Sequence, residues 1–144
     1  MRRKRLCHEI PDSIRLNIQG EVFFITICCA ERGRNQLAIP EVWQIIDDSL
    51  SAYEAAGDLK VRLALAMPDH LHALFSFPGN RRMSAVMKGL KSWTAKRGGV
   101  SWQRDFFDHR LRSAESGVEK ARYIRNNPVR AGLVACSAEW PFQR

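Results

Sequence analysis

The segment from Met67 to Phe77 limits the fold of this chain more than any other part of the sequence. A Pro-Asp turn signal at 68–69 precedes an apolar run that contains His70 and His72. Residues i and i+2 of a strand lie on the same face, about 7 Å apart along the backbone, so both histidines face one side and Leu71 faces the other. Two imidazoles at this spacing can bind one divalent cation.

The histidine pair alone leaves two interpretations open. Two histidines at a half-exposed strand edge are as good an explanation as a metal site, because a motif this short often occurs by chance. The choice between these interpretations depends on what the rest of the chain places near the pair.

Hydrophobic periodicity predicts the other elements of the fold. Apolar runs indicate strands at 21–29, 61–67, 70–77 and 102–112, and helical spacing indicates helices at 40–57, 83–97 and 116–127. This order predicts an α+β fold of the ferredoxin-like or RRM-like type, a two-layer sandwich with an antiparallel sheet. The last helix, which carries Tyr123, is an addition to that unit.

The same pattern predicts how these elements pack and end. If residues 102–112 form a strand, either Phe106 or Phe107 must face inward. The third helix should begin at a Ser-x-x-Glu capping box at 116–119 and end near Asn127, because Pro128 disfavours helical geometry in the residue before it. The second helix should bury one stripe of five residues: Met83, Val86, Met87, Leu90 and Trp93.

Positive charge is concentrated in one part of this basic chain. The formal net charge is +8, and residues 81–112 hold nine Lys and Arg against two Asp. Such a segment suits a polyanion such as nucleic acid, although a charged run is usually only a solvated face. We expect DNA contacts from the N-terminal arm and from this segment: Arg2, Arg3, Lys4, Arg5, Arg81, Arg82, Lys88, Lys91, Arg110 and Arg112.

The length and composition predict one domain over residues 1–144, with a basic arm at about 1–20. Hydrophobic residues make up 45% of the chain, which is typical of a globular protein, and no apolar run is long enough to span a membrane. No signal-type apolar core follows the basic N-terminus. We therefore expect a cytoplasmic protein with no membrane partner.

The predicted third helix carries three polar residues at intervals of four. Glu119, Tyr123 and Asn127 therefore share one helical face. A tyrosine in such a position is usually an ordinary surface residue. Here it belongs to a much longer signature, the segment Ala-Arg-Tyr-Ile-Arg-Asn-Asn-Pro-Val-Arg-Ala-Gly-Leu at 121–133.

These motifs together resemble a known family. The His-Leu-His triplet at 70–72 resembles the His-hydrophobic-His motif of single-tyrosine HUH endonucleases. Combined with the segment at 123–133, it resembles the IS200-like transposases, and among them the REP-associated tyrosine transposases of bacteria. The segment at 102–112 is also similar to a family segment, and the resemblance spans roughly residues 20–142.

The resemblance implies a specific activity and site. It implies an endonuclease and strand transferase that acts on single-stranded DNA at palindromic hairpins, with Tyr123 forming a covalent 5′-phosphotyrosine. It also implies that His70 and His72 bind Mg²⁺ or Mn²⁺, with Asn127 as the third ligand and Glu119 as an alternative. Two imidazoles and an amide form a nitrogen-rich site, so Mn²⁺ should be accepted better than Mg²⁺.

Three other functions stay open at this point. The chain could be an RNA-binding module of RRM-like fold, although it lacks an aromatic RNP-type sequence. It could be a metal-dependent nuclease that activates water, or a protein that binds DNA without cleaving it. The sequence indicates no protein partner and leaves monomer and homodimer as alternatives.

Overall fold

The computed structural model describes residues 21–144, apart from the side chains of residues 114 and 115. The predicted N-terminal arm, with Arg2, Arg3, Lys4 and Arg5, lies outside the described residues. The chain forms, in order, β1 (Phe23–Cys28), α1 (Pro40–Ala55), β2 (Lys60–Ala66), β3 (His70–Ser76), α2 (Met83–Gly98), β4 (Phe107–Arg110), α3 (Ala114–Arg130) and a short 3₁₀ helix (Ser137–Glu139).

The four strands form one antiparallel sheet in the order β2-β3-β1-β4. Helices α1 and α2 pack against each other on one face, where the larger core includes Ile25, Leu71 and Phe75. Helix α3 covers the other face, where Ile124 and Leu74 belong to a second core. The predicted α+β class and ferredoxin-like element order are confirmed, with α3 as a cover on the open face of the sheet.

The β2–β3 hairpin forms around the predicted turn at residues 68–69. Its two strands pair antiparallel around residues 67–69, and β3 also pairs with the central strand β1. In that register Thr26 lies opposite His72 and Cys28 lies opposite His70. Residues opposite one another in an antiparallel pair point to the same face, so both histidines lie on the α3 side of the sheet.

The predicted limits of the third helix were wrong at both ends. Ser113, not the capping box at 116–119, is the N-cap, and its side chain accepts a hydrogen bond from the Ser116 backbone N–H at 3.1 Å. The helix also continues through Pro128 to Arg130. A proline this close to the end removes only one N–H from the ladder, and Pro128 is buried in the folded chain.

The inward stripe of α2 differs from the prediction at one position. Trp93 is 46% exposed, with the Arg97 guanidinium 4.4 Å from its ring centre, and Thr94 is buried in its place. The Thr94 hydroxyl accepts a hydrogen bond from the Trp102 indole N–H at 2.9 Å and donates to the Leu90 carbonyl at 2.8 Å. These two bonds satisfy a polar group that burial would otherwise penalise.

The last strand is shorter than the predicted 102–112, because the continuous ladder with β1 covers only residues 107–110. Phe106 packs against the larger core, as the alternation requires of one of the two phenylalanines. Phe107 is 70% exposed. At the opposite edge of the sheet, residues 142–144 form backbone hydrogen bonds with the outer strand β2. No helix within residues 21–144 has the length and apolarity needed to cross a membrane.

Candidate active site

The two histidines of β3 meet at the surface of the sheet beneath α3. Their ring centres are 4.6 Å apart and their planes are inclined by 80°, so the rings are edge-to-face rather than parallel. His72 is buried, whereas His70 at the start of the strand is half-buried. The pair therefore presents one buried and one accessible imidazole to the same space.

Each histidine is held through its Nδ1 atom by a neighbouring side chain. The Thr26 hydroxyl lies 3.0 Å from Nδ1 of His72, and Oδ1 of Asp69 lies 2.7 Å from Nδ1 of His70. Both rings therefore keep Nε2 as the nitrogen left for another partner. Such contacts on the far nitrogen orient a histidine for metal binding.

The Asp69 carboxylate is itself fixed by the loop that follows β1. Its Oδ2 accepts hydrogen bonds from the Gly33 backbone N–H at 2.8 Å and from Nε of Arg32 at 3.0 Å. Burial alone would raise the pKa of Asp69, but these bonds and the contact with His70 outweigh it and lower the pKa to about 2. Asp69 is therefore ionised near neutral pH and can orient His70 by accepting a hydrogen bond.

The His72 imidazole is held in its neutral form. Burial is the main cause, because it penalises the charged ring, and electrostatic interactions with His70, Arg130 and Arg32 act in the same direction. Together they lower its pKa from the ordinary 6.5 to about 3. Neutral imidazole is the form that binds metal ions.

Helix α3 brings Tyr123 and Asn127 over the histidines. The Tyr123 ring centre lies 6.2 Å from that of His72, and both rings contact Phe24. One turn later, Nδ2 of Asn127 lies 3.4 Å from Nε2 of His70. Four residues predicted from the sequence are thus brought together by two separate elements.

Two cations beside Tyr123 were not identified from the sequence. The Arg130 guanidinium lies 4.3 Å from the centre of the Tyr123 ring, and Nζ of Lys120 lies 5.9 Å from it on the same helix. Arg130 also donates a hydrogen bond to the Tyr123 carbonyl at 2.8 Å. The spacing Lys120-x-x-Tyr123 was a readable signal, since residues three apart share a helical face.

The structure does not bring Glu119 into contact with the histidines. Glu119 is exposed on α3, and no contact between it and His70 or His72 is seen among the described residues. Among the side chains that the structure describes, no group of three or more His, Cys, Asp and Glu is arranged to hold a metal ion. Among the described residues, α3 instead places the amide of Asn127 against His70.

The predicted DNA-binding cations that lie within the described residues are located away from the histidines. Arg81 pairs with Asp58 at 3.6 Å, and Arg110 pairs with Glu21 at 3.0 Å. Arg110 also lies opposite Phe23 of the larger core, so it points to the face away from α3. Arg82 occupies the N-cap position of α2 without a side-chain capping bond, and Arg112 is exposed after β4.

Lys88 and Lys91 line a cavity of about 470 Å³ between α2 and the segment before β4. Lys88 is exposed there. Nζ of Lys91 donates hydrogen bonds to the backbone carbonyls of Gln103 and Arg104, both at 2.6 Å. Burial lowers the pKa of the Lys91 ammonium below its ordinary value. Lys91 therefore holds this segment in place, in addition to any contact with DNA.

Comparison with known families decides the relationship of this chain to other proteins. Residues 24–127 match the family described as Transposase IS200 like. The chain belongs to the IS200-like transposase family. The match includes the histidine pair, Tyr123 and Asn127, and the predicted membership is thus confirmed.

Two bacterial relatives extend the similarity beyond the matched segment. The REP-associated tyrosine transposase of Escherichia coli K12 is 25% identical over 131 residues, covering 89% of this chain and 78% of the relative. A relative from Haemophilus influenzae Rd is also 25% identical, over 145 residues that cover 86% of this chain and 79% of the relative.

A solved structure supports the fold of this IS200-like transposase. The structure of a REP-associated tyrosine transposase bound to a REP hairpin matches with a TM-score of 0.75 at 23% sequence identity. The match covers 88% of this chain and 77% of the other. At this identity the likeness establishes the arrangement of sheet and helices.

The donor set at the candidate site is of a type that can hold a divalent cation. It combines the neutral His72 imidazole, the His70 imidazole fixed by Asp69 and the carboxamide of Asn127. The amide oxygen and nitrogen exchange places when the carboxamide rotates by half a turn, so either can face His70. Imidazole nitrogen with amide oxygen suits Mn²⁺ better than Mg²⁺, which prefers oxygen ligands.

Proposed function

We propose that this IS200-like transposase cleaves and rejoins single-stranded DNA at palindromic, REP-type hairpins, with Tyr123 as the nucleophile. The observation that carries the proposal is the placement of Tyr123 directly beside the histidine pair, 6.2 Å from His72 between ring centres. A nucleophile and a group of potential metal ligands in one place are what phosphoryl transfer to tyrosine requires.

The substrate class rests on two supports. The protein is basic, and two cations, Lys120 and Arg130, flank the nucleophile itself, where a phosphate would lie. The related solved structure is of a transposase bound to a REP hairpin. Hairpins with unpaired flanks offer single-stranded DNA, whose phosphates are accessible to a tyrosine on a helix.

His70, His72 and Asn127 would hold Mg²⁺ or Mn²⁺. When bound, such a cation neutralises a non-bridging oxygen of the phosphate and thereby reduces the repulsion that protects DNA from nucleophiles. Thr26 and Asp69 orient the two imidazoles by their contacts with Nδ1. The low pKa of His72, about 3, keeps that ring neutral and able to act as a ligand.

Tyr123 carries the covalent step. Its Oη attacks phosphorus, a bond between Oη and phosphorus forms, and the bond between phosphorus and the 3′ oxygen breaks. The phenolic proton is released and the departing 3′ oxygen takes up a proton, leaving a 3′-hydroxyl and a 5′-phosphotyrosine. Because the phosphotyrosine is still an ester, a 3′-hydroxyl of the same or another strand can reverse the step and rejoin DNA.

Arg130 and Lys120 favour this step by their charge and by the position they give the ring. Arg130 contacts the ring face and the backbone carbonyl of Tyr123 at once, which limits the movement of the side chain. Both cations also lie where they would attract the negatively charged strand. A nuclease that activates water would need neither of these contacts with the tyrosine.

The test is removal of one oxygen atom. Tyr123→Phe should keep the fold and the DNA affinity but lose both strand cleavage and the covalent protein–DNA adduct. The assay uses labelled single-stranded hairpin DNA with Mn²⁺, scored for the adduct on a denaturing gel. Tyr53→Phe is the matched control, because Tyr53 lies in α1 on the opposite face of the sheet.

Each competing function gives a different result in this assay. If water is the nucleophile, the Tyr123→Phe protein would still cleave DNA, and the wild-type protein would form no covalent adduct. A protein that only binds nucleic acid would neither cleave nor form an adduct in any variant. Wild-type cleavage by Tyr123→Phe would reject the proposed mechanism.

A further inference from the structure

Phe107 is the most exposed large apolar side chain in the described part of the chain. It lies on the edge strand β4 and is 70% exposed, whereas its neighbour Phe106 packs into the larger core. A phenylalanine is usually buried, because removing its apolar surface from water is favourable. Nothing within residues 21–144 accounts for this position by packing.

The register of the sheet shows which face Phe107 occupies. Phe107 lies opposite Thr26 of β1, and Thr26 lies opposite His72 of β3. Paired residues of antiparallel strands point to the same side. The Thr26 hydroxyl reaches His72 on the α3 side, so Phe107 also projects from that face, in one row with the histidine.

The spacing along this row suits a nucleotide close to the reacting phosphate. Phe107 is two strands away from His72, which corresponds to roughly 10 Å between backbones. The intervening residue in the row is the small Thr26, so no bulky side chain of the row separates the aromatic ring from the histidines.

The charges on this face favour nucleic acid as the occupant. In the next row of the sheet, Phe24 lies opposite His109, and Nζ of Lys120 lies 5.2 Å from the centre of the Phe24 ring. Arg130 lies beyond it at Tyr123. These cations and the exposed Phe107 ring lie on the same face of the sheet, although no contact between a cation and Phe107 itself is seen among the described residues. Cations and exposed aromatic rings on one surface bind single strands, because phosphates meet the cations and bases stack on the rings.

We infer that Phe107 is a stacking subsite for an unpaired base of the DNA strand whose phosphate lies beside His70, His72 and Tyr123. The inference rests on the proposed function, since it assigns the occupant of the site as single-stranded DNA. It adds a base-binding position on β4, outside the histidine and tyrosine motifs. Stacking is tolerant of base identity, so the subsite positions the strand rather than reading its sequence.

The test measures binding alone, in a Tyr123→Phe background that leaves the DNA uncleaved. The probe is a fluorescein-labelled hairpin with thymidine flanks on both sides, prepared intact and with a single abasic site at each flank position in turn. Phe107→Ala should weaken binding of the intact probe by about 5- to 100-fold, and Phe107→Trp should restore it. Circular dichroism and thermal unfolding check that the exposed substitution leaves the fold unchanged.

The abasic probes show whether a base is the partner of the ring. One abasic position should weaken binding to the Phe107 protein by a similar factor and have no further effect on Phe107→Ala, because the two changes remove the same contact. Trp93→Ala is the matched control, since Trp93 is an exposed aromatic residue of α2. Its affinity should equal that of the parent.

Two results would overturn the inference. One is an unchanged DNA affinity of the Phe107→Ala protein. The other is a Phe107→Ala protein that loses affinity by the same factor for the intact probe and for every abasic probe. Because the readout is binding, failure here differs from failure of the proposed chemistry, which would appear as the absence of an adduct in wild type.

Discussion

The guanidinium of Arg130 lies 4.3 Å from the centre of the Tyr123 ring and donates a hydrogen bond to the Tyr123 backbone carbonyl at 2.8 Å. One side chain at the end of α3 thus contacts both the ring and the backbone of the residue that we propose as the nucleophile. The two residues are seven positions apart, about two turns of helix.

This contact predicts that Arg130 affects chemistry more than binding. Arg130→Gln should slow adduct formation at saturating DNA by about 10-fold, because the exposed cation–π contact contributes about 0.5–1 kcal/mol and the lost positive charge beside the phosphate adds to it. Arg130→Lys should recover part of the rate. Single-turnover gel assays measure the rate, and fluorescence anisotropy measures the affinity separately.

Arg97→Gln is the control for Arg130, because Arg97 lies over the Trp93 ring at a similar distance of 4.4 Å. It should leave the rate of adduct formation unchanged. If Arg130 has a purely structural role, Arg130→Gln would instead lower thermal stability and reduce both the rate of adduct formation and the DNA affinity. In that case Arg130→Lys would not change the rate independently of the affinity.

The histidine pair predicts dependence on a divalent cation. His70→Ala and His72→Ala should each abolish cleavage while circular dichroism shows the fold intact, and EDTA should abolish cleavage by the wild-type protein until Mn²⁺ is restored. Thr26→Val, which removes only the contact with Nδ1 of His72, should reduce activity by about 10- to 100-fold. Full cleavage in EDTA would remove the metal from the mechanism.

The two lysines of the α2 cavity should behave differently on charge reversal. Lys88→Glu should weaken DNA binding, more steeply at low salt, with little change in stability. Lys91→Glu should also lower the free energy of unfolding, by about 1–3 kcal/mol, because the ammonium holds the carbonyls of Gln103 and Arg104. Urea unfolding of both variants tests this difference, and equal stabilities would contradict it.

The lowered pKa of His72 predicts how stability depends on pH in the metal-free protein. The unfolded chain takes up a proton near pH 6.5, whereas the folded ring does so only near 3. The contribution of the neutral His72 ring to the free energy of unfolding is therefore fully present above pH 6.5. It falls as the pH decreases toward 3, by at most about 1.4 kcal/mol per pH unit for this one proton.

Urea unfolding at a series of pH values, with EDTA present, measures this slope. Asp69 acts in the same direction but in a lower window, from its ordinary pKa of 3.8 down to about 2. His72→Leu should therefore flatten the curve between pH 6.5 and 3.8 and leave the lower window in place. An unchanged slope in His72→Leu would contradict the assignment to this ring.

Local periodicity in the sequence was sufficient to predict the strands, the helices and which site residues share a face. Alternation along β3 places His70 and His72 on one face of the strand, and helical spacing places Tyr123 and Asn127 on one face of α3. Both are local periodicities that hold in any fold. The docking of α3 over the histidines could be expected only from the family resemblance, because it depends on contacts between distant segments.

The errors arose where tertiary contacts outweigh local preference. Pro128 disfavours a helix locally, but its buried position in α3 favours continuation to Arg130, and this continuation creates the contact with Tyr123. Trp93 follows the apolar spacing of α2, yet Thr94 is buried instead because Trp102 supplies a hydrogen bond to its hydroxyl. Such partners, distant in sequence or beyond an expected helix end, are not visible in a hydrophobic pattern.

The loop after β1 fixes Asp69, which orients His70, and this has a consequence for identifying inactivated copies of the gene. Asp69 is fixed by the backbone N–H of Gly33 and by Arg32, some forty residues before the histidine motif. A copy that lost these two residues in a short deletion would keep both histidines, the tyrosine and the asparagine, and would still lose the orientation of His70. A genome survey that scores intact motifs alone would count that copy as active.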